Sequence, residues 1–68
     1  MENTINSAVA KFGFIARQNG KVIEVRDGKG RLAGTVANGI VTRKQIGSQQ
    51  LMGSLVRDAI KNALKAVA

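Results

Sequence analysis

The sequence contains no cysteine, proline, histidine, tryptophan or tyrosine, and its aromatic residues are Phe12 and Phe14 alone. Without cysteine the chain has no disulfides, no thiol nucleophile and no cysteine-based zinc site. Without histidine or tyrosine it also lacks the side chains that most often transfer protons near neutral pH. The acidic residues are few and scattered: Glu2, Glu24, Asp27 and Asp58. We therefore expect a protein that is not an enzyme and that uses no cofactor and no metal.

Long apolar runs are also missing, since no stretch approaches the ~18 residues that would span a bilayer. The first residues, MENTINS, are polar and carry none of the features of a secretory signal. A chain of 68 residues has room for one small domain. We expect a single domain over residues 1–68 and a cytoplasmic location, because the absence of cysteine fits a reducing compartment, in which disulfides are rare.

The charge of the chain is its strongest signal. Lys and Arg number 11 against 4 Asp and Glu, which gives a net charge of +7 and an isoelectric point near 11.0. Such an imbalance favours a polyanionic partner. Nucleic acid, DNA or RNA, is the preferred partner, and an acidic protein is the alternative. Membrane binding through the stripe Arg57, Lys61 and Lys65 is disfavoured, because the apolar side of that segment has no Trp or Phe to anchor it.

The N-terminal segment predicts a short helix over residues 4–12. Ile5, Val9 and Phe12 recur at helical spacing, and Gly13 can end the helix. A longer helix reaching Arg17 is the alternative, but Gly13 in its interior would cost about 1 kcal/mol relative to alanine. A strand over residues 14–17 is therefore preferred.

Three turn signals follow: Asn19 with Gly20, Asp27 with Gly28, and Asn38 with Gly39. Asn-Gly between extended runs indicates a type I′ hairpin turn, because that turn needs positive φ at both central residues. The predicted pairs are Phe14 with Val25, Ala16 with Ile23, Ile23 with Leu32, Glu24 with Arg31, and Val36 with Val41. A shift of the pairing by two residues would keep every side chain on the same face.

Alternation along the strands separates a core face from a solvent face. The predicted core face contains Phe14, Ala16, Ile23, Val25, Leu32, Gly34, Val36 and Val41. The predicted solvent face contains Ile15, Arg17, Val22, Glu24, Arg26, Arg31, Ala33, Thr35, Ile40, Thr42 and Lys44. Glu24 is interpreted as a cross-strand partner of Arg31 or Arg17, and Asp27 as a turn residue.

The predicted nucleic-acid-binding residues are the basic ones on or beside that solvent face: Arg17, Arg26, Arg31, Arg43 and Lys44. Guanidinium and ammonium groups neutralise phosphates without reading sequence. Stacking of single-stranded bases is poorly supported, because binders of that kind usually present aromatic side chains. Contacts to the backbone of a duplex, or a β-ribbon lying in a groove, fit the composition better.

After Gly47 the apolar period changes to that of a helix, which Ser48 could cap, with Ser54 as the alternative start. Leu55, Ile60 and Leu64 are expected to cover the sheet. The apolar arc is wider than one sheet face needs, which favours a homodimer. The residues expected at the dimer interface are Met52, Val56, Ala63 and Val67.

These elements predict an α+β fold: a short N-terminal helix, an antiparallel meander of three to four strands, and a C-terminal amphipathic helix packed on one sheet face. The expected function is that of a small, basic, non-enzymatic protein that binds nucleic acid through its basic sheet face. The alternative is a protein-interaction factor, an inhibitor or an assembly component, that docks on an acidic protein.

Overall fold

The structure, a computed structural model, describes residues 2–67, without the side chain of residue 67. A helix and a four-stranded sheet come first, then a short hairpin and a second helix: α1 Glu2–Ala10, β1 Ile15–Asn19, β2 Val22–Arg26, β3 Leu32–Ala37, β4 Ile40–Arg43, β5 Gln45–Ile46, β6 Gln49–Gln50 and α2 Ser54–Val67. The large sheet is an antiparallel meander in the order β1-β2-β3-β4. The predicted α+β architecture is confirmed.

Helix α1 ends in a Schellman motif centred on Gly13. The Phe14 amide donates to the Val9 carbonyl at 3.2 Å, and the Gly13 amide donates to the Ala10 carbonyl at 3.0 Å. Gly13 has a φ of 84°, a conformation that glycine adopts without strain. The helix lies two residues nearer the N-terminus than predicted. Because α1 ends before Gly13, the following residues can form β1. The predicted strand after Gly13 is therefore confirmed.

The hairpin of β3 and β4 has the predicted register, with Val36 opposite Val41. Its two turn residues, Asn38 and Gly39, have φ values of 52° and 76°. These values match the positive φ that a type I′ turn requires.

The hairpin of β1 and β2 is paired differently from the prediction. Ala16 lies opposite Val25 and Asn19 opposite Val22, so the predicted pairs of Phe14 with Val25 and Ala16 with Ile23 are wrong. Asn19 extends β1 by one residue, and the two loop residues become Gly20 and Lys21. The shift is two residues, so the faces are unchanged.

The pairing of β2 with β3 departs further from the prediction. Ile23 lies opposite Val36 and Val25 opposite Gly34, whereas Arg26 lies opposite Leu32 across a β-bulge. The predicted pairs of Ile23 with Leu32 and Glu24 with Arg31 are therefore wrong. The bulge adds one residue to β3 and inverts the local alternation. As a result Ala33 is fully buried and Leu32 only half-buried, the reverse of their predicted faces.

The core lies between the sheet and the two helices, which cover the same sheet face. Helix α1 packs on β1 and α2, and α2 also reaches β4. The buried residues come from both helices, from β1, β2 and β3, and from the segment before α2: Ile5, Val9, Ala16, Ile23, Val25, Ala33, Val36, Met52, Val56 and Ile60. Of the predicted core face, Phe14 and Val41 are half-buried against this cluster.

Helix α2 begins at Ser54, so the alternative start is confirmed and a cap at Ser48 is wrong. Residues 45–50 instead form the β5–β6 hairpin, in which Gly47 has a φ of 61°. The buried side of α2 is formed by Val56 and Ile60, and Leu55 is 74% exposed. Leu55 therefore does not cover the sheet, and this part of the prediction is wrong, whereas Ile60 is fully buried and Leu64 packs against the core, as predicted.

Candidate nucleic-acid interface

The sheet face opposite the helices carries side chains that are exposed or half-buried. Its central row runs across all four strands, from Arg17 to Glu24 and on through two threonines. We call this surface the open face and define it by Ile15, Arg17, Val22, Glu24, Arg26, Thr35, Ile40 and Thr42. Two cations, one carboxylate and two threonines lie among its three aliphatic side chains, so this face is mixed, as predicted, but Arg31 and Lys44 lie outside the strands.

Arg26, at the end of β2, is held in position by two contacts. One guanidinium nitrogen lies 3.1 Å from the Glu24 carboxylate, and the other donates to the Gly30 carbonyl at 3.0 Å. The predicted partners of Glu24, Arg31 and Arg17, are thus replaced by a neighbour two residues along the same strand. An exposed pair of this kind adds little stability, so its main effect is to fix the guanidinium at the edge of the open face.

Arg17 lies at the centre of β1 and is exposed on the open face. It is directly opposite Glu24 in the ladder, but within residues 2–67 no carboxylate oxygen lies within salt-bridge distance of its guanidinium. Its charge is therefore less compensated than that of Arg26.

The loop between β2 and β3 is organised around the carboxylate of Asp27. One oxygen accepts hydrogen bonds from the amides of Lys29 and Arg31 at 3.0 and 2.9 Å, and the other accepts from the Arg31 guanidinium at 2.7 Å. Backbone bonds join Asp27 to Arg31 and Gly30 as well. The predicted role of Asp27 in the turn is confirmed, and Arg31 is fixed by a charge-assisted bond.

The same contacts alter the acidity of Asp27. Partial desolvation raises the pKa of its carboxyl group, but hydrogen bonds from the Arg31 amide, the Arg31 guanidinium and the Lys29 amide, with the charge of Arg31, outweigh it. The net effect holds the pKa of Asp27 below its ordinary value of 3.8. The loop is consequently held by an ionised carboxylate at neutral pH.

Antiparallel order brings the end of β2, the start of β3 and the end of β4 to one end of the sheet. We call this the basic end and define it by its cations: Arg26, Lys29, Arg31, Arg43 and Lys44. Four of the five predicted binding residues therefore come together there, and Arg17 lies apart at mid-strand. Lys29 joins them although it was not among the predicted binding residues.

Two of these cations take different sides of the sheet. Arg43 lies opposite Gly34, whose missing Cβ would point at the Met52 side chain, so Arg43 is on the helix-covered side and half-buried. Lys44 is exposed, and its amide donates to the Ala33 carbonyl at 2.9 Å. The basic end therefore curves around the end of the sheet instead of lying on one face.

A polar hairpin next to the basic end was missed by the sequence analysis. Residues 45–50 are all exposed and include three glutamines, and the Gln45 side chain donates to the Gly47 carbonyl at 2.9 Å. Gly47 followed by Ser48 is one of the dipeptides that form two-residue hairpin loops, which is a signal that could have found it. The hairpin follows Lys44 directly in the chain.

Three of the four residues expected at a dimer interface lie in the core of the single chain or against it. Met52 and Val56 are buried in the core of the single chain, which leaves almost none of their surface for a partner, and Ala63 is half-buried against that core. The side chain of Val67 lies outside the described residues. Most of the apolar arc of α2 therefore packs within one chain, and Leu55 is its exposed member.

The stripe on α2 carries further positive charge. Lys61 and Lys65 are exposed, and the Arg57 guanidinium lies 3.3 Å from the Asp58 carboxylate. This stripe belongs to the helix side of the molecule and is separated from the open face by the sheet.

Among residues 2–67, no group of three or more acidic, histidine or cysteine side chains could hold a metal ion. No helix in the described part of the chain is long and apolar enough to cross a membrane. No protein-family model, curated protein or solved structure matches this chain.

Proposed function

We propose that this is a small, non-enzymatic protein that binds nucleic acid, with the basic end and the adjoining open face in contact with phosphates. The observation that carries the proposal is the gathering of five cations from three separate segments at one end of the sheet. Within residues 2–67, Arg26 and Arg31 are paired with carboxylates, and the other three are not. The net charge of +7 supports the same partner.

The arrangement suits backbone contacts. Arg26 and Arg31 are fixed by protein acceptors, yet a guanidinium has five N–H donors, so several remain for phosphate oxygens. Each phosphate neutralised releases counterions, which supplies affinity without sequence preference. The exposed glutamines of residues 45–50 add uncharged donors and acceptors beside these cations, on a two-stranded ribbon of the kind that a major groove admits.

A duplex is the favoured form. Phe14 is half-buried against the core, and Phe12 lies under the Lys11 ammonium, which is 5.4 Å from its ring centroid. Neither ring is on the open face, so bases have no aromatic platform there.

The test compares two exposed lysines, one at the basic end and one on α2. Lys44→Ala should weaken duplex binding to every sequence about equally and reduce the slope of log K against log salt by about 0.9. Lys61→Ala removes the same charge from the helix side, and it should change the duplex affinity and the salt slope much less. Equal effects of the two variants would contradict the proposed surface. No binding to duplex DNA, single-stranded DNA or RNA at low salt would end the nucleic-acid proposal.

One observation favours the second candidate, docking on an acidic protein. Ile15 and Ile40 are 50% and 66% exposed on the open face. At a protein interface such aliphatic side chains would carry the affinity and the surrounding cations would mainly affect the association rate. In that case Ile40→Ser should abolish binding, purification at low salt should yield no absorbance at 260 nm, and a pull-down should recover one acidic partner.

The proposal also includes a homodimer and a cytoplasmic location. A dimer would double the basic surface of a chain whose own core is small. Sedimentation tests the first, and fractionation of cells that express the tagged protein tests the second.

A further inference from the structure

The two outer edges of the four-stranded sheet, β1 and β4, differ in whether their outward backbone amides have hydrogen-bond acceptors. Along β1, the amides of Ala16 and Gln18 point away from β2. The first donates to the Asn6 side chain at 2.9 Å and the second to the Glu2 carboxylate at 2.6 Å. Helix α1 thus occupies the donors of this edge, which is a common protection against pairing with another chain.

In the part of the chain that the structure describes, no helix or side chain accepts hydrogen bonds from the outward amides of β4. The Lys44 amide donates to Ala33 of β3, and inward and outward amides alternate along an antiparallel edge strand. Val41 and Arg43 therefore direct their amides and carbonyls away from β3. Within residues 2–67, neither of these amides donates to a protein acceptor.

We propose that β4 pairs in antiparallel fashion with β4 of a second copy of this chain, joining two sheets into one of eight strands. The inference deepens the proposed homodimer, on which it rests, and assigns it to the sheet edge in place of α2. It does not depend on nucleic-acid binding.

One register suits the side chains best, the one whose two-fold axis passes beside Thr42. Val41 then lies opposite Arg43 of the second copy, and the outward groups of both residues are hydrogen-bonded on both strands. Thr42 faces Thr42 of the second copy, a favourable cross-strand pair. Lys44 lies opposite Ile40 of the second copy, and its aliphatic stem covers a side chain that is 66% exposed in the single chain.

Neighbouring registers are worse for physical reasons. A register centred on Arg43 sets two guanidinium groups directly opposite each other, and like charges in that position repel. A register centred on Val41 leaves the outward amide and carbonyl of Arg43 beyond the paired region. In this segment the cations Arg43 and Lys44 follow three β-branched residues. This charge pattern therefore favours the register centred on Thr42.

The charge of the chain also fixes the response to salt. Two copies at +7 each repel, and salt screens that repulsion. A contact of one short strand per copy is small, so the dimer should form weakly at low salt and more strongly at high salt. Phosphate binding responds in the opposite direction, which allows the two proposals to be tested separately.

The experiment measures sedimentation equilibrium together with amide hydrogen exchange over a range of protein concentration, from about 10 μM to about 1 mM. We expect a monomer–dimer equilibrium that shifts toward dimer with salt. Protection of the Val41 and Arg43 amides should rise with concentration. The Ala16 and Gln18 amides, bonded within one chain, should show protection that does not change.

Two variants test the surface. Thr42→Glu opposes two like charges at the two-fold axis and should weaken the dimer roughly fivefold or more. Ser7→Glu makes the same change in net charge on the exposed side of α1, and it should not weaken the dimer. Val41→Pro removes an outward amide that the β3 ladder does not use, and it should also weaken the dimer.

The outcomes separate the proposals. A dimer that survives both β4 variants would overturn this inference and leave the homodimer in place. A monomer at every concentration and salt would overturn both. Binding of an acidic extended peptide at β4 without self-association would overturn the inference as well. Duplex binding of the unsubstituted protein decides the nucleic-acid proposal independently, because Thr42 itself belongs to the open face.

Discussion

The two ends of the sheet are closed by different means. At the turn end, which we define as residues 19–22 and 37–40, two-residue loops with positive φ at Gly20, Asn38 and Gly39 join neighbouring strands. At the basic end, a loop organised by the Asp27 carboxylate leads into a β-bulge, and Met52 from a distant segment packs on the sheet. Local backbone geometry determines the turn end, whereas the basic end depends on contacts between residues far apart in the chain.

The largest effect should come from breaking the long-range contact at the basic end. Met52 is completely buried, and its side chain lies against the position where Gly34 has no Cβ. Met52→Ala removes this packing and leaves a cavity, which should lower the free energy of unfolding by about 2–5 kcal/mol. Urea denaturation followed by circular dichroism would measure the loss.

Two leucine variants show whether that loss is specific to the basic end. Leu64 is half-buried at the turn end and lines a cleft of about 200 Å³, so Leu64→Ala should cost less than Met52→Ala. Leu55 is 74% exposed, and Leu55→Ala should change stability by no more than about 0.5 kcal/mol. A larger loss for Leu55→Ala than for Met52→Ala would contradict the observed exposure of Leu55 and burial of Met52.

A pair of glycine variants compares the two ends directly. An alanine Cβ at Gly34 would lie 2.7 Å from the Thr42 carbonyl oxygen and 2.8 Å from the Met52 methyl carbon. Gly34→Ala should therefore cost about 1–3 kcal/mol through overpacking. Gly39 has open space around it but a φ of 76°, so Gly39→Ala should cost on the order of 1 kcal/mol through backbone strain alone.

Combining Gly34→Ala with Met52→Ala sharpens this comparison. Removing the Met52 methyl group relieves one of the two close approaches and leaves the one to the Thr42 carbonyl. The double variant should therefore be less destabilised than the sum of the single variants. Additive losses would mean that the approach to the backbone accounts for the whole effect at Gly34. Combining Gly39→Ala with Met52→Ala serves as the control and should be additive.

The same division explains most of what could be predicted from the sequence; the exception at the turn end is the β1–β2 hairpin, whose loop lies one residue further along than predicted. The Gly13 helix end and the register of Val36 with Val41 depend on residues next to one another, and both were predicted. The bulge exchanges the sheet faces of Leu32 and Ala33, and it lies next to the close packing of Met52 on Gly34. These two residues are 18 positions apart in the sequence, so no local sequence pattern could predict their contact. The exposure of Leu55 could not be predicted for a related reason, since the apolar arc of α2 is wider than the part of it that packs in the core.

For the candidate site, the sequence predicted the residues better than their surroundings. A meander necessarily brings Arg26, Arg31 and Lys44 to one end, so their convergence followed from the strand order. Their ion-pair partners could not be predicted from the strand order, because the bulge and the wide loop between β2 and β3 changed which side chains meet. Glu24 consequently pairs with Arg26, and Arg31 pairs with Asp27.

The smallest predicted effect concerns the Asp27 carboxylate at the basic end. Its pKa is lowered in the folded protein, so the ionised group contributes stability that is fully present above its unfolded pKa, near 3.8. That contribution is lost as the pH falls below 3.8 and through the lower folded pKa. Titration of the Asp27 carboxyl carbon by NMR should therefore give a midpoint below 3.8, and Asp27→Asn should reduce the loss of stability over this range.

Arg31→Ala separates the causes of that shift. The variant removes the guanidinium, which donates to Asp27 at 2.7 Å, but keeps the residue-31 amide, which donates at 2.9 Å. The pKa of Asp27 should rise toward its ordinary value, and the remaining amide bonds should oppose the rise that desolvation would cause alone. Because the turn end has no such carboxylate, amide exchange at Gly39 should not change across this pH range beyond its intrinsic pH dependence. An unchanged Asp27 midpoint in Arg31→Ala would show that the backbone amides alone hold the loop, and that the Arg31 guanidinium is free to bind a phosphate.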